Sequence, residues 1–381
     1  MHTISEGGRP DATKPLGIMV SSSSVGQNRA WPCVWLLAVG SLAHAGHGSP
    51  GCDLDAHAQA QAQRPNTLTV NFENDLFTGT DREYTNGVKL SWASANLDDY
   101  KSDPCLPEIL QQVNRLLRLK DPNPYTERNM VVSLGQAMFT PRDRERTTLD
   151  PNDRPYAGWL YLALGYNSRT EEAMRSYEID LGIVGPQSYA KQTQDFVHDL
   201  RNIPKWKGWA NQLPNEPGLQ FTFERKRRFL TDLPGPLPLA DVIPHYGVAL
   251  GNVSTYLNTG IEFRLGWSLP DDFGTSAIRP GGNNAAPLSR SDMRIGYAAK
   301  GLHLFASFDA RLVLHNIFLD GNTFRSSPSV DKRPLVGDAA LGVAWSWRRG
   351  KLAYAHYIRT KEFYGQSASQ QFGSITFSYV F

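Results

Sequence analysis

Two carboxylates and an amide fall within three residues at Glu73-Asn74-Asp75, where an alternating stretch ends. Their oxygens suit a hard cation, and an amide N–H suits a developing oxyanion. The same residues also make an ordinary solvated turn. Downstream, Asp81-Arg82-Glu83-Tyr84-Thr85-Asn86-Gly87 opens a second alternating stretch. A hairpin from Phe77 to Arg82 would set Thr85 close to Asp75 across the ladder, adding a hydroxyl or carbonyl oxygen to the carboxylate. Hairpin chemistry alone, with Gly79 at the turn, accounts for those residues too. His198 is the third candidate, because a histidine is the default general base near neutral pH. On a helix its neighbours are Gln194 and Asp195, and Asp195 could orient the ring. Incidental histidines are common, so His198 needs context.

That context is partly negative. The chain has no Gly-x-Ser-x-Gly elbow, Walker loop, His-Glu-x-x-His or dinucleotide fingerprint. A serine nucleophile is therefore unsupported. A histidine that activates water, with a bound cation holding the oxyanion, is the more economical site. Cys33, Cys52 and Cys105 form neither a zinc spacing nor a disulfide framework. Lys and Arg number 39 against 37 Asp and Glu, a net charge of +2, which makes no electrostatic case for nucleic acid.

The elements that must carry these residues read as strands. From Asn66 onward the dominant period is two. In the last segment Ile375, Phe377, Tyr379 and Phe381 share one face, while Ser374, Thr376 and Ser378 share the other. Similar segments run over 68–72, 85–95, 129–138, 155–167, 176–184, 220–229, 244–253, 256–269, 301–315, 338–347 and 351–359. About twelve such segments of about ten residues, with no apolar run of about 18, exclude a helical membrane protein and fit an all-β antiparallel transmembrane barrel. A soluble sandwich also alternates, but its strands are shorter. Two stretches break the rhythm with helical spacing. Leu106–Lys120 places Ile109, Leu110, Val113, Leu116 and Leu117 on a helix, and Gln187–Arg201 carries His198. Short helices in loops at one rim usually build a site. Residues 1–65 read as an N-terminal extension with an export signal. Trp31 to Ala45 is a short apolar stretch closing on Ala43-His44-Ala45, and Met19 is an alternative start. Residues 66–381 are then the barrel.

Several motifs occur in one order: Asn74-Asp75, Tyr84-Thr85-x-Gly87, Thr140-Pro141, Asp153-Arg154-Pro155-Tyr156-Ala157-Gly158-Trp159, Gly185-Pro186, His198 and Trp209-x-x-Gln212-x-x-Asn215. This set resembles the outer-membrane lipid A 3′-O-deacylase family (LpxR-type). The resemblance covers 66–381 and is most specific from 70 to 216. It implies a twelve-stranded barrel in the bacterial outer membrane, acting as a monomer on lipid A of lipopolysaccharide. It further implies calcium-assisted hydrolysis of the ester that holds the 3′ acyloxyacyl group. By position, His198 corresponds to the general base, Asn74 to an oxyanion donor, and Asp75 and Thr85 to the Ca2+ side. Arg146 best fits the family's basic, substrate-binding residue after Thr-Pro. One departure is Pro204, which stands near the family's acidic position and has no side chain to ligate or polarise; Asp199 or Glu216 would have to compensate. The competing readings are a passive porin or structural barrel and an outer-membrane phospholipase.

Overall fold

The computed structural model describes residues 65–75, 83–103, 106–117, 127–231, 239–275, 278 and 300–381. The expected leader lies outside them. Twelve long strands follow in chain order: β1 (Thr67–Asn74), β2 (Glu83–Ala93), β3 (Glu127–Thr140), β4 (Ala157–Arg169), β5 (Ala173–Val184) and β6 (Glu216–Arg227), then β7 (Leu239–Gly251), β8 (Ser254–Trp267), β9 (Gly301–Asn316), β10 (Leu335–Trp347), β11 (Gly350–Arg359) and β12 (Gln370–Val380). Beyond Arg228, residues 229–231 continue β6 alongside β7. Each strand pairs antiparallel with its sequence neighbours, and β1 pairs with β12, so the sheet closes into a barrel. Closure leaves no edge for lipid to meet. The ends are zipped by reciprocal backbone hydrogen bonds between Asn66 and Phe381 at 2.9 and 3.0 Å.

Alternation decides what faces lipid. Leu162, Leu219, Leu257, Leu304, Leu341 and Leu352 are all exposed on the outer wall. The intervening residues point inward and are buried as polar and aromatic groups. Lys89 pairs with Glu178 at 3.3 Å, Lys351 with Asp272 at 2.7 Å and Arg359 with Asp338 at 2.7 Å. Inward rings stack as well: Trp159 on Tyr161 at 5.5 Å and Tyr357 on Phe372 at 5.0 Å. Paired charges and stacked rings make this interior a packed core rather than a plain water-filled pore.

The strand count matches the sequence expectation, and the observed strands run up to four or five residues past the expected bounds. The helices do not all lie at one rim. α1 (Glu108–Leu116) joins β2 to β3 at the rim that holds the chain ends, whereas α2 (Ala190–Arg201) and the short α3 (Ile317–Asp320) lie at the opposite, distal rim. The cause is parity: with antiparallel strands, connections alternate between rims, and β2–β3 falls on the other side from β5–β6.

Candidate active site

One ladder row crosses four strands at the distal rim. Asn74 pairs with Asn86, Asn86 with Met138, and Met138 with Gly158. Residues directly opposite each other in an antiparallel pair share a face. Gly158 alternates with Leu160 and Leu162 on the outer side, while Trp159 and Tyr161 point inward. The whole row therefore faces out, and from Asn74 to Gly158 it spans about 14 Å at the usual strand spacing.

α2 lies against this wall, across β4 and β3. Its buried residues Ala190, Gln194 and His198 recur every four positions, which is one helical face. Gly158 lets the helix sit flush. A Cβ there would come within 2.0 Å of Ser188 Oγ and 2.4 Å of Ala190 Cβ. Two hydrogen bonds hold the helix down: Gln136 Nε2 donates to the Ser188 carbonyl at 2.6 Å, and Trp209 Nε1 donates to Gln194 Oε1 at 2.8 Å. Tyr156 packs against both Trp206 and Trp209, in one apolar cluster with Met138 and Ala190. Burial pushes the Tyr156 phenol up to about 12, so it stays protonated.

His198 is only 2% exposed. Its Nδ1 lies 2.7 Å from the Pro204 carbonyl oxygen. A carbonyl only accepts, so Nδ1 carries the hydrogen and Nε2 is left with its lone pair. This revises the reading of Pro204. The proline has no acidic side chain, yet its backbone oxygen does the orienting that a carboxylate does elsewhere. Asp195 does not orient the ring; it pairs with Lys191. Neither proposed compensator is at hand. Asp199 pairs with Lys205 at 2.6 Å on the surface. Glu216 accepts from the backbone N–H groups of Thr323 and Phe324 at 3.1 and 3.2 Å, pinning the loop after α3.

Asn74 and Asp75 are buried where β1 ends. The β2–β3 register skips Thr85, between Tyr84–Phe139 and Asn86–Met138, so Thr85 is a β-bulge. The β1–β2 register ends at Asn74–Asn86, one step before Asp75 and Thr85. Bulges re-aim backbone groups and recur beside active sites. Asn86, which the sequence reading assigned no role, is buried on the same row as Asn74, and its Oδ1 has no hydrogen-bond partner. Among the described residues no three His, Cys, Asp or Glu side chains gather in metal-binding geometry. Any cation here would draw on amide and backbone oxygens beside Asp75. The buried carboxylate of Asp75 and amide oxygen of Asn86 are donors of the kind a hard cation takes.

Arg146 stands apart from this row, in the loop between β3 and β4. Its guanidinium pairs with Asp150 at 2.6 Å and donates to the Leu149 carbonyl at 3.1 Å, and it is 39% exposed. The loop docks on the segment after α2, through Lys207 N–H to the Arg144 carbonyl at 3.0 Å and Asn211 Nδ2 to the Thr147 carbonyl at 2.7 Å. Two later histidines have partners of their own: His315 meets Asp320 at 3.2 Å, and His245 Nε2 meets Asp309 Oδ2 at 2.8 Å, on the lumen side of the wall.

A closed barrel with a lipid-facing wall and a helix clamped to its outer face defines an outer-membrane β-barrel protein. The sequence profile of the outer membrane protein LpxR family matches residues 42–381, and the chain belongs to that family of outer-membrane lipid A deacylases. LpxR from Salmonella typhimurium has the same fold, at TM-score 0.62 and 18% identity, covering 83% of this chain and 100% of that one. The translocator domain of the autotransporter NalP from Neisseria meningitidis aligns at TM-score 0.34 and 8% identity, covering 92% of this chain and 98% of that one. No curated protein matches.

Proposed function

We propose that this chain removes the 3′-linked acyloxyacyl chain of lipid A by ester hydrolysis, with His198 as general base. The observation that carries the reading is the His198–Pro204 hydrogen bond, on a helix packed against the outer wall. In the neutral ring that bond leaves the Nε2 lone pair free, on the outer side of the barrel where an amphiphile's ester sits. Lipid A carries its acyl chains into the bilayer and its sugar phosphates at the surface. An outer-wall site at one rim receives both without extracting the substrate.

In this reading Nε2 of His198 takes a proton from water as the water oxygen attacks the ester carbonyl. The Asn74 amide donates to the oxyanion that forms. Collapse of the tetrahedral intermediate breaks the bond to the sugar oxygen. His198 returns its proton to that oxygen, releasing a 3′-hydroxyl and a free acyloxyacyl acid. Asp75, Thr85 and Asn86 would hold Ca2+, which when bound supplies positive charge to the carbonyl oxygen. Arg146, on the docked loop, binds an anionic headgroup group in exchange for part of its contact with Asp150. Buried Gln194 and Trp209 keep α2 in place and touch no reacting atom.

The test is mass spectrometry of lipid A from cells with and without the protein. Loss of the mass of one 3′ acyloxyacyl group supports the reading. Unchanged lipid A, with the protein folded in the outer membrane, leaves a structural barrel.

A further inference from the structure

α1 is built inside out. Its buried residue is the polar Asn114, while Ile109 and Leu116 are 64% and 82% exposed. Asn114 faces the wall: its Nδ2 donates to the Tyr100 carbonyl at 2.6 Å, and its Oδ1 accepts from the Tyr166 hydroxyl at 2.8 Å. Tyr166 shares the outer face with Leu162, so α1 and the segment before it lie on the outside of the barrel, at the rim of the chain ends. They cover Met130 and Tyr166, outward side chains that are almost fully buried.

The sides of α1 are sorted around that wall contact. At 100° per residue, Ile109, Leu110, Val113, Leu116 and Leu117 fall on one flank, and Glu108, Gln112 and Arg115 on the other. A helix docked only to be buried would turn its apolar arc to the wall. Here the wall takes the amide, the apolar arc looks away to one side, and the charged arc to the opposite side. The ladder row through Trp92 continues to Leu68 and Tyr379, and Tyr379 stacks on Phe381 in the lipid-facing belt. The exposed apolar arc thus lies on the outer side of the barrel, at the rim where the lipid-facing belt ends.

We propose that α1 is an interfacial helix that seats in the periplasmic leaflet of the outer membrane. Its occupant is the glycerophospholipid of that leaflet, with acyl chains on the Ile109–Leu116 flank and headgroups and water on the Glu108–Arg115 flank. Through Asn114 it meets Met130 of β3 and Tyr166 of β4, two of the four strands that carry the Asn74 row at the distal rim. It therefore fixes the depth of the wall sector on which α2 sits. The inference needs the outer-membrane barrel and does not depend on the deacylase chemistry.

The experiment is site-directed spin labelling at Ile109→Cys, Gln112→Cys and Leu116→Cys, with Cys33, Cys52 and Cys105 changed to Ser and Leu341→Cys as the lipid-wall reference. The protein is reconstituted in vesicles of phosphatidylethanolamine and phosphatidylglycerol, and only heat-modifiable, folded material is measured. Collision rates with molecular oxygen and with a water-soluble nickel chelate are compared. Oxygen should dominate at 109 and 116, as at 341, and nickel should dominate several-fold at 112. Nickel dominance at 109 and 116 would place the helix in water and overturn the proposal. Protection from both reagents would overturn it too, because a protein partner would then cover the stripe.

Discussion

Gly158→Ala tests whether the site depends on α2 sitting flush on the wall. The new Cβ points outward, 2.4 Å from Ala190 Cβ and 2.0 Å from Ser188 Oγ. Ordinary contact begins near 3.4 Å, so the helix start must lift by about 1 Å. Ser188 has little room to yield, because its Oγ donates to the Gly185 carbonyl at 2.6 Å and its own carbonyl accepts from Gln136. Ala190 has no rotamer to change. The displacement passes along a rigid helix to His198, two turns on. A shift of about 1 Å at a reacting group costs on the order of 100-fold in rate. The barrel should survive, since ladder hydrogen bonds at Gly158 are made by backbone and strand pairing is untouched. The assay is lipid A deacylation in purified outer membranes, read by mass spectrometry and normalised to heat-modifiable protein. Leu162→Ala, four residues along the same outer face and against lipid, is the control and should be silent. Full activity in folded Gly158→Ala would refute the idea that wall packing positions the base.

His198→Ala should lower the rate by about two to four orders of magnitude without loss of the heat-modifiable band, the usual range for a general base, and His198→Gln should be equally inactive. Persistent removal of the 3′ group in cells expressing His198→Ala would move the base elsewhere. Asp75→Ala should abolish activity, and EGTA should do so reversibly in the wild type; full activity in EGTA would remove calcium from the mechanism. At the distal rim, burial opposes ionisation of Asp320. Hydrogen bonds from His315, the Asn316 amide and Lys332 outweigh it and hold the carboxyl below the usual carboxylate range. A depressed carboxylate contributes stability above its unfolded value, near 3.8, that is lost as pH falls through the folded value. Protection factors in the loop after α3, which correct for the intrinsic pH dependence of exchange, should therefore fall as pH drops below about 4. Asp320→Asn should abolish that pH step, and an unchanged step would place its origin in another group.

Alternation alone determines much of this protein. Tyr379 and Phe381 on one face and Ser378 on the other specify a wall between unlike media, because side chains two apart share a side whatever the strand pairs with. Repeated about twelve times, that pattern defines a barrel, and the spacing of Ile109, Val113 and Leu116 defines a helix. The ordered motifs from Asn74 to Asn215 pointed to the family. Three features were not legible. Which rim each helix occupies depends on strand parity, which counts the chain as a whole. Which group orients His198 depends on chain reversal after α2, which brings a backbone carbonyl at Pro204 to Nδ1; a carbonyl belongs to every residue and leaves no signature in side-chain types. Which way α1 turns its apolar stripe depends on the wall it meets. The same periodicity serves a helix facing a core and one facing lipid, and only the contact between Asn114 and Tyr166 decides between them.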